Sequence, residues 1–316
     1  MKKILLFLIF YTITFNLEAY LHKKVIREGK VYENIEYGEI NWTDGILKIK
    51  GTAKLPPVIK NKFDPRTQSE DFEYAPDKAT ARLMALNKAK EIAIRNLTAA
   101  VYNLRIKDNY FVKNYLEKST NDFDFRLNQY ITTKSKNKIL YNKDGNISVE
   151  LTINLWGKDG FLSIINNQDK ELMAFNTNRF KLSITNTNIS KEAETIIPQE
   201  YTSLIIDATE IENLQPALSP SILDESGNIV YNSSFVLKYY ANKKGVVKYI
   251  ADKSLVPDID FVDEKAFLVR AISKGKNDTD IVIPDDVVKQ FFSSNKTFKY
   301  LQRCNVIIII VNTKRK

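Results

Sequence analysis

The sequence predicts an α+β fold of two small modules, each a mainly antiparallel sheet with a helix packed on one face. Three observations carry that expectation. The stretch "ILKIKGTAKLPP" alternates apolar and polar residues, as a half-buried strand does. "DKATARLMALNKAKEIAIRNLTAAVYNL" then changes to a helical repeat, and "ISVELTINLW" returns to strict alternation behind an Asp-Gly turn.

Taken in order, the chain opens with Lys2 and Lys3 ahead of the apolar run Ile4 to Phe15, followed by Asn16 and Leu17-Glu18-Ala19. This is the form of a secretory signal peptide, with cleavage expected after Ala19 and an uncleaved signal anchor as the other reading. The run is shorter than the roughly 20 apolar residues of a membrane span. Where an exported lipoprotein would carry its lipid-bearing cysteine, the chain reads Leu17-Glu18-Ala19-Tyr20, so a periplasmic protein without lipid at that point is expected. Loss of residues 1–19 removes Lys2, Lys3 and Glu18 and takes the formal charge from +9 to +8. That charge suits an anionic lipid or an acidic wall polymer, and export argues against nucleic acid. The basic clusters Lys23-Lys24, Lys243-Lys244 and Lys314-Arg315-Lys316 are scattered and read as solvated surface.

The first module is expected over residues 40–165. Leu47, Ile49, Gly51, Ala53 and Leu55 form one side of a strand that Pro56-Pro57 stops, and residues 58–76 read as loop. Asp77 is placed to cap a helix whose Ala81, Ala85, Ala89 and Ala93 repeat every fourth residue, flanked by Leu86, Leu97 and Ala100. Such a row lets a helix backbone approach a sheet closely, so core packing is the expected role and a partner-binding groove the other reading. Residues 108–128 leave a loop and a short helix both open. "YITTKSKNKILYN" and "ISVELTINLW" then form a hairpin through Lys143-Asp144-Gly145-Asn146.

Residues 166–200, rich in Asn, Lys, Glu and Thr and closed by Pro198, read as a linker. The second module is expected over 201–312. Its strands are Leu204 to Ala208, a pair within Ile222 to Tyr231 about the turn Glu225-Ser226-Gly227-Asn228, Ala266 to Ile272, Asp280 to Ile283 and Val306 to Val311. A helix runs from Pro284 to Phe292, with Asp285 and Asp286 at the positive end of its dipole. The terminal Lys314-Arg315-Lys316 guards the last strand against aggregation.

Few residues offer chemistry. Cys304 is the only cysteine and His22 the only histidine, which argues against an intramolecular disulfide, cysteine-based metal clusters, Ser-His-Asp triads and two-histidine zinc sites. Asp207, ending the run Leu204-Ile205-Ile206, reads as a turn-holding carboxylate, since no partner carboxylate is spaced to work with it. Asp224, Asp252, Asp258, Asp260, Asp263 and Glu264 lack the glycine-punctuated loop of an EF-hand and read as solvated loop. Ser293-Ser294-Asn295-Lys296 holds a formal Ser-x-x-Lys, but it follows a predicted helix and lacks a Lys-Thr-Gly companion. No catalytic, cofactor or metal site is predicted.

The row "ATARLMALNKAKEIAIRNL" behind the "GTAKLPP" strand resembles the Lpp-twenty lipoprotein family, to which FlgP-like flagellar proteins and modules of the flagellar assembly protein FlgT are similar. "YTSLIIDATEIENLQPALSPSILDESGNIVYN", "FLVRAISKGKNDTDIVIPDDVVKQFF" and "CNVIIIIV" resemble the second module of such envelope proteins. The Pro216-Ala217-Leu218-Ser219-Pro220 motif and Gly227 fit that pattern, whereas Ser203 stands for a usual glycine and Thr209-Glu210 for Arg-Gly. The resemblance spans roughly residues 40–165 and 201–311. It implies a non-enzymatic periplasmic structural or scaffold protein in a flagellar ring, collar or sheath, with envelope or basal-body proteins as partners and oligomeric assembly. The alternative is an envelope module, unlinked to flagella, that binds wall polymer or the outer-membrane surface. The missing lipid-bearing cysteine departs from the lipoprotein pattern.

Overall fold

The computed structural model describes residues 23–59, 73–116, 123–165 and 199–311. The signal peptide, His22, nearly all of the 166–200 linker and Lys314-Arg315-Lys316 lie outside the described residues. The fold is α+β, in two modules.

In the first module, β1 (Lys23–Arg27), β2 (Lys30–Ile35), β3 (Gly38–Asn41) and β4 (Ile46–Ala53) form an antiparallel meander. The helix α1 (Lys78–Tyr102) follows, then β5 (Arg105–Lys107), β6 (Tyr110–Phe111), α2 (Val112–Leu116), α3 (Phe123–Lys134), β7 (Lys136–Tyr141), β8 (Ile147–Asn154) and α4 (Phe161–Ile165). The main sheet runs β1-β2-β3-β4-β8-β7, antiparallel throughout. It begins well before residue 40, because the Glu28-Gly29 and Glu36-Tyr37 turns fold the segment after His22 into three further strands.

Asp77 caps α1, its Oδ1 accepting from the amides of Ala79 and Thr80 at 2.8 Å each. Ala81, Ala85, Ala89, Ala93, Leu97 and Val101 form the buried stripe. A Cβ on Gly51 would lie 2.2 Å from the Ala93 nitrogen and 2.4 Å from the Ala89 oxygen, so helix and strand meet backbone to backbone. The alanine row is core packing.

The segment "YITTK" belongs to α3, not to the strand expected from its β-branched residues. Phe123, Leu127, Tyr130 and Ile131 recur at helical spacing and are buried together, and this tertiary contact outweighs local β propensity. The hairpin itself runs from β7 to β8 over a turn with Gly145 at φ 82°.

The second module contains β9 (Ser203–Asp207), β10 (Ile222–Leu223), β11 (Ile229–Tyr231), α5 (Lys238–Lys244), β12 (Lys248–Ile250), β13 (Ala266–Arg270), β14 (Ser273–Lys274), β15 (Ile281–Val282), α6 (Asp285–Phe291), α7 (Asn295–Gln302) and β16 (Val306–Ile309). Its central sheet, β12-β16-β9-β13, is parallel at every pairing, which corrects the expectation of a mainly antiparallel sheet here. The physical sign was present in the residues: Leu204 to Ile206 and Val306 to Ile309 are apolar without alternation and buried on both faces, as parallel strands are. The hairpin at 222–231 belongs instead to a small separate sheet, β11-β10-β15-β14. Leu204, Ile206, Val306 and Ile308 join the large core shared with the first module, while Ile205, Ile250, Ile307 and Ile309 form a second cluster under Val256, Phe261 and Val262.

Candidate functional site

Open parallel sheets bind ligands outside the carboxyl ends of their strands. Asp207 sits in that place, as the last residue of β9 between β16 and β13. Its Oδ1 accepts from the Thr209 hydroxyl at 2.7 Å and the Thr209 amide at 3.2 Å, and Lys253 donates to its Oδ2. Burial pushes the carboxyl up, but the hydrogen bonds from Lys253 and Thr209 outweigh it and hold the group below its ordinary value. Asp207 also anchors the sheet through its backbone, its carbonyl accepting from the Ala271 amide at 2.9 Å. A carboxylate so tied holds the turn and the neighbouring strand together, and its proton is not poised for transfer near neutral pH.

Three of the other acidic candidates are separate turn and helix caps. Asp224 accepts from the Asn228 amide and side chain, Asp252 from the Ser254 amide, and Asp263 from the Lys265 amide and the Thr202 hydroxyl. Among the described residues, no three of His, Cys, Asp and Glu stand close enough to hold a metal ion. The Ser-x-x-Lys stretch begins in the turn after α6 and runs into the first residues of α7. Ser293 donates to the Gln290 carbonyl, Ser294 caps α7, and the Lys296 ammonium lies 3.2 Å from Glu200. Ser293 and Lys296 therefore have separate partners. Cys304 is buried, as its position ahead of β16 predicts, and burial pushes its thiol up to about 12. A thiolate nucleophile is unavailable there at neutral pH.

The structure gathers other residues that local reading of the sequence missed. Between the modules lies a buried polar seam built from Lys24 of β1, Glu33 of β2, Trp42, Arg105 of β5 and Tyr249 of β12. Trp42 is fully buried and donates from Nε1 to Glu33 at 2.7 Å, and its ring meets Tyr249 edge to face at 6.2 Å. Arg105 approaches the same carboxylate at 3.7 Å and donates to the Pro216 carbonyl at 3.1 Å. The Lys24 ammonium donates to the Leu214 carbonyl at 2.9 Å, and burial, opposed in part by Glu33, lowers it to about 8. Lys24 is thus not the solvated surface residue its neighbour Lys23 suggests. The same holds at Lys244, which is half-buried, donates to Asn305 at 2.7 Å and lies 4.2 Å from the Phe261 ring centroid.

The Pro216-Ala217-Leu218-Ser219-Pro220 motif has its role in this seam. Leu218 and Ser219 donate to the carbonyls of Arg105 and Ile106 at 3.0 and 2.8 Å, so the loop adds to β5 of the other module. The Ala217 amide donates to the Tyr249 hydroxyl at 3.1 Å. Further joints run from Ala251 to the Gly29 carbonyl and from Gly157 to that of Asn242, both at 2.8 Å. Lone proximity in sequence gives no hint of these pairings, whose partners lie about a hundred or more residues apart in several cases.

Residues 203–312 match the family described as Treponema pallidum Tp0624, second domain. The Tp0624-like region takes in β9 to β16, and with them the whole parallel sheet, Asp207 and the Pro-Ala-Leu-Ser-Pro loop. It covers about a third of the chain, so the similarity concerns this module alone. No curated protein matches the chain.

Among the described residues, a groove and a sheet face offer surface to a partner. A groove of about 310 Å³ lies between the β2–β3 turn and α1, lined by Ile35, Tyr37, Ile40, Arg95, Ala99 and Asn103. The second is the face of the six-stranded sheet turned away from α1. Register places Lys48 and Lys50 of β4, Glu150 and Thr152 of β8, and Lys136 and Lys138 of β7 side by side there, with Glu39 and Lys23 further along.

Proposed function

We propose that this protein is a non-enzymatic structural or scaffold component of the bacterial periplasm, associated with the flagellar motor as part of a ring, collar or sheath. The observation that carries the structural reading is the seam. The hydrogen bonds of Lys24 to Leu214 and of Arg105 to Pro216, the Trp42–Tyr249 ring contact and the loop-to-β5 hydrogen bonds fuse two modules into one body with one large core. Desolvated polar contacts of this kind hold geometry at the expense of plasticity, which suits a part that fixes the spacing of its neighbours. The motifs flagged for chemistry support the same reading, since Asp207, Ser293, Lys296 and Cys304 each have a structural partner or a buried place. The flagellar assignment rests on the resemblance of the alanine-row helix and the Pro-Ala-Leu-Ser-Pro module to flagellar envelope proteins, and the periplasmic one on the expected signal peptide.

An in situ tomographic average of the motor in the parent strain and in a deletion tests it. Loss of a defined periplasmic density, restored by complementation, is the expected outcome. An unchanged motor in a normally motile deletion would sink the flagellar reading.

The cationic sheet face favours a second reading, an envelope module that binds an acidic wall polymer or the outer-membrane surface. Binding to isolated envelopes that collapses on raising salt supports this second reading, because charges on an exposed face are screened beyond about 10 Å at 0.1 M salt. Binding that survives salt supports the shape-based scaffold.

A further inference from the structure

The main sheet has two ends of different character. At the β1 end the second module packs close: Lys24 donates to Leu214, the Ala251 amide donates to Gly29, and β12 lies against β2. At the other end, β7 pairs with β8 over all six of its residues without a register shift. Among the described residues, no further strand follows it. Its outer row of backbone amides and carbonyls pairs with no described strand, and five of its six side chains are exposed, with Leu140 half-buried.

The reason is the position of α1, which lies over β4 and β8 and leaves β7 uncovered. Ile139 and Tyr141 point to the α1 side of the sheet yet are 43% and 70% exposed. Lys136 and Lys138 point to the opposite side, with Glu150 of β8 directly across from Lys138. An extended segment added to this edge meets cations on one face and an aliphatic and an aromatic side chain on the other.

We propose that the outer edge of β7 is a docking edge for an extended protein segment in which acidic side chains alternate with apolar ones. The proposal rests on the scaffold reading and names the kind of neighbour that reading calls for. Charge selects the occupant. A second copy would bring the Lys136 and Lys138 side chains of two chains close together around a twofold axis, the arrangement by which edge lysines oppose self-pairing. An acidic strand places its carboxylates across from the same lysines, where opposite charges on paired strands stabilise. Its intervening apolar residues cover Ile139 and Tyr141, and its backbone fills the open hydrogen-bonding row.

The test uses the full chain and a capped peptide of about eight residues with Glu and Val alternating, the length of an ordinary strand. Hydrogen exchange followed by mass spectrometry is expected to show slowed exchange at residues 136–141 in its presence, with affinity falling about tenfold or more from low to high salt. The Lys136→Glu/Lys138→Glu variant, changed only at exposed positions, should keep its thermal transition, lose this peptide and accept one with Lys in place of Glu. Four results would overturn the proposal: no protection over 136–141, equal binding of the Lys-containing peptide by the unchanged chain, undiminished binding of a peptide N-methylated at alternate residues, or protection by unstructured polyglutamate confined to the open face of β4 and β8. The last would mark a polyanion surface instead of a strand-docking edge. Because the peptide experiment is independent of the tomographic one, failure at this edge leaves the scaffold reading standing, and loss of the scaffold reading leaves the edge to be judged by exchange.

Discussion

The two principal sheets solve the burial problem in opposite ways. The antiparallel sheet of the first module is covered on one face by α1 and open on the other, so its strands alternate between Leu47, Ile49 or Val149 on one side and Lys48, Lys50 or Glu150 on the other. The parallel sheet of the second module is covered on both faces, and the strands β9 and β16 at its centre are apolar almost throughout. The difference separates two tasks. A sheet buried on both faces contributes stability and has little surface to offer a partner, whereas the half-open sheet keeps a charged face and, among the described strands, an unpaired edge. The loop that follows the parallel sheet's first strand then fastens it to the other module.

The sharpest way to break this contrast is to change the two helix- or sheet-packed interiors by one methyl each. Gly51→Ala forces a Cβ into the α1 backbone, and a loss of about 3 kcal/mol or more is expected in urea unfolding. Ile308→Val, inside the parallel sheet, only removes a methyl from a core that can partly relax and should cost about 1 kcal/mol. Equal losses would show that the close helix approach is not special.

Trp42→Phe tests whether the two sheets unfold as one body. It leaves the Glu33 carboxylate without its indole donor and is expected to cost about 2 kcal/mol. Trp156, whose ring lies beside Gly45 of the first module and Gly245 of the second, then remains as the sole tryptophan. Its fluorescence should follow a single transition coincident with far-UV circular dichroism. Two separated transitions would mean that the seam does not couple the modules.

Lys24 gives a finer probe of the same seam. Its folded pKa of about 8 lies below the ordinary lysine value, so between the two the unfolded chain binds the extra proton. The contribution of this group to stability is full above the ordinary lysine value and is lost as pH falls through about 8. Lys24→Met should flatten the pH dependence of stability between about 8 and 10 relative to the unchanged chain. An unaltered slope would place the ammonium in water.

The smallest expected effect is at the carboxyl end of the parallel sheet. Asp207→Asn weakens the contacts to Thr209 and to Lys253, a half-exposed partner, and should cost about 1 kcal/mol. The Asp207 contribution, present above the ordinary carboxylate value, fades as pH falls through the lower folded value, and the Asn variant should lose that acid-side dependence. A loss several times larger would point to a role beyond holding the turn.

How far these features were legible depended on the range of the interaction that makes them. The Asp77 cap, the alanine stripe, the Gly145 turn and the strands at 204, 266 and 306 follow from residues within a few positions of one another. So does the structural reading of Asp207, whose nearest partner is Thr209 two residues on. The strand reading of Tyr130 to Lys134 failed because β-branched Ile131, Thr132 and Thr133 speak locally for β, while the burial of Phe123, Leu127, Tyr130 and Ile131 against one core decides for helix. Lys24 was placed on the surface because a Lys-Lys pair is ordinarily solvated, and only the approach of Leu214 and Glu33 turns one of the two inward.

By itself the sequence determined the fold class, the two-module division and the shortage of reactive groups, since composition, period and turn chemistry are local properties. Tertiary structure alone decided the order of the strands in the parallel sheet, that the Pro-Ala-Leu-Ser-Pro loop hydrogen-bonds to β5, and that β7 is an edge among the described strands. Strand order, seam contacts and the reach of α1 all depend on groups brought together from distant parts of the chain, and no short window of residues encodes which of them will meet.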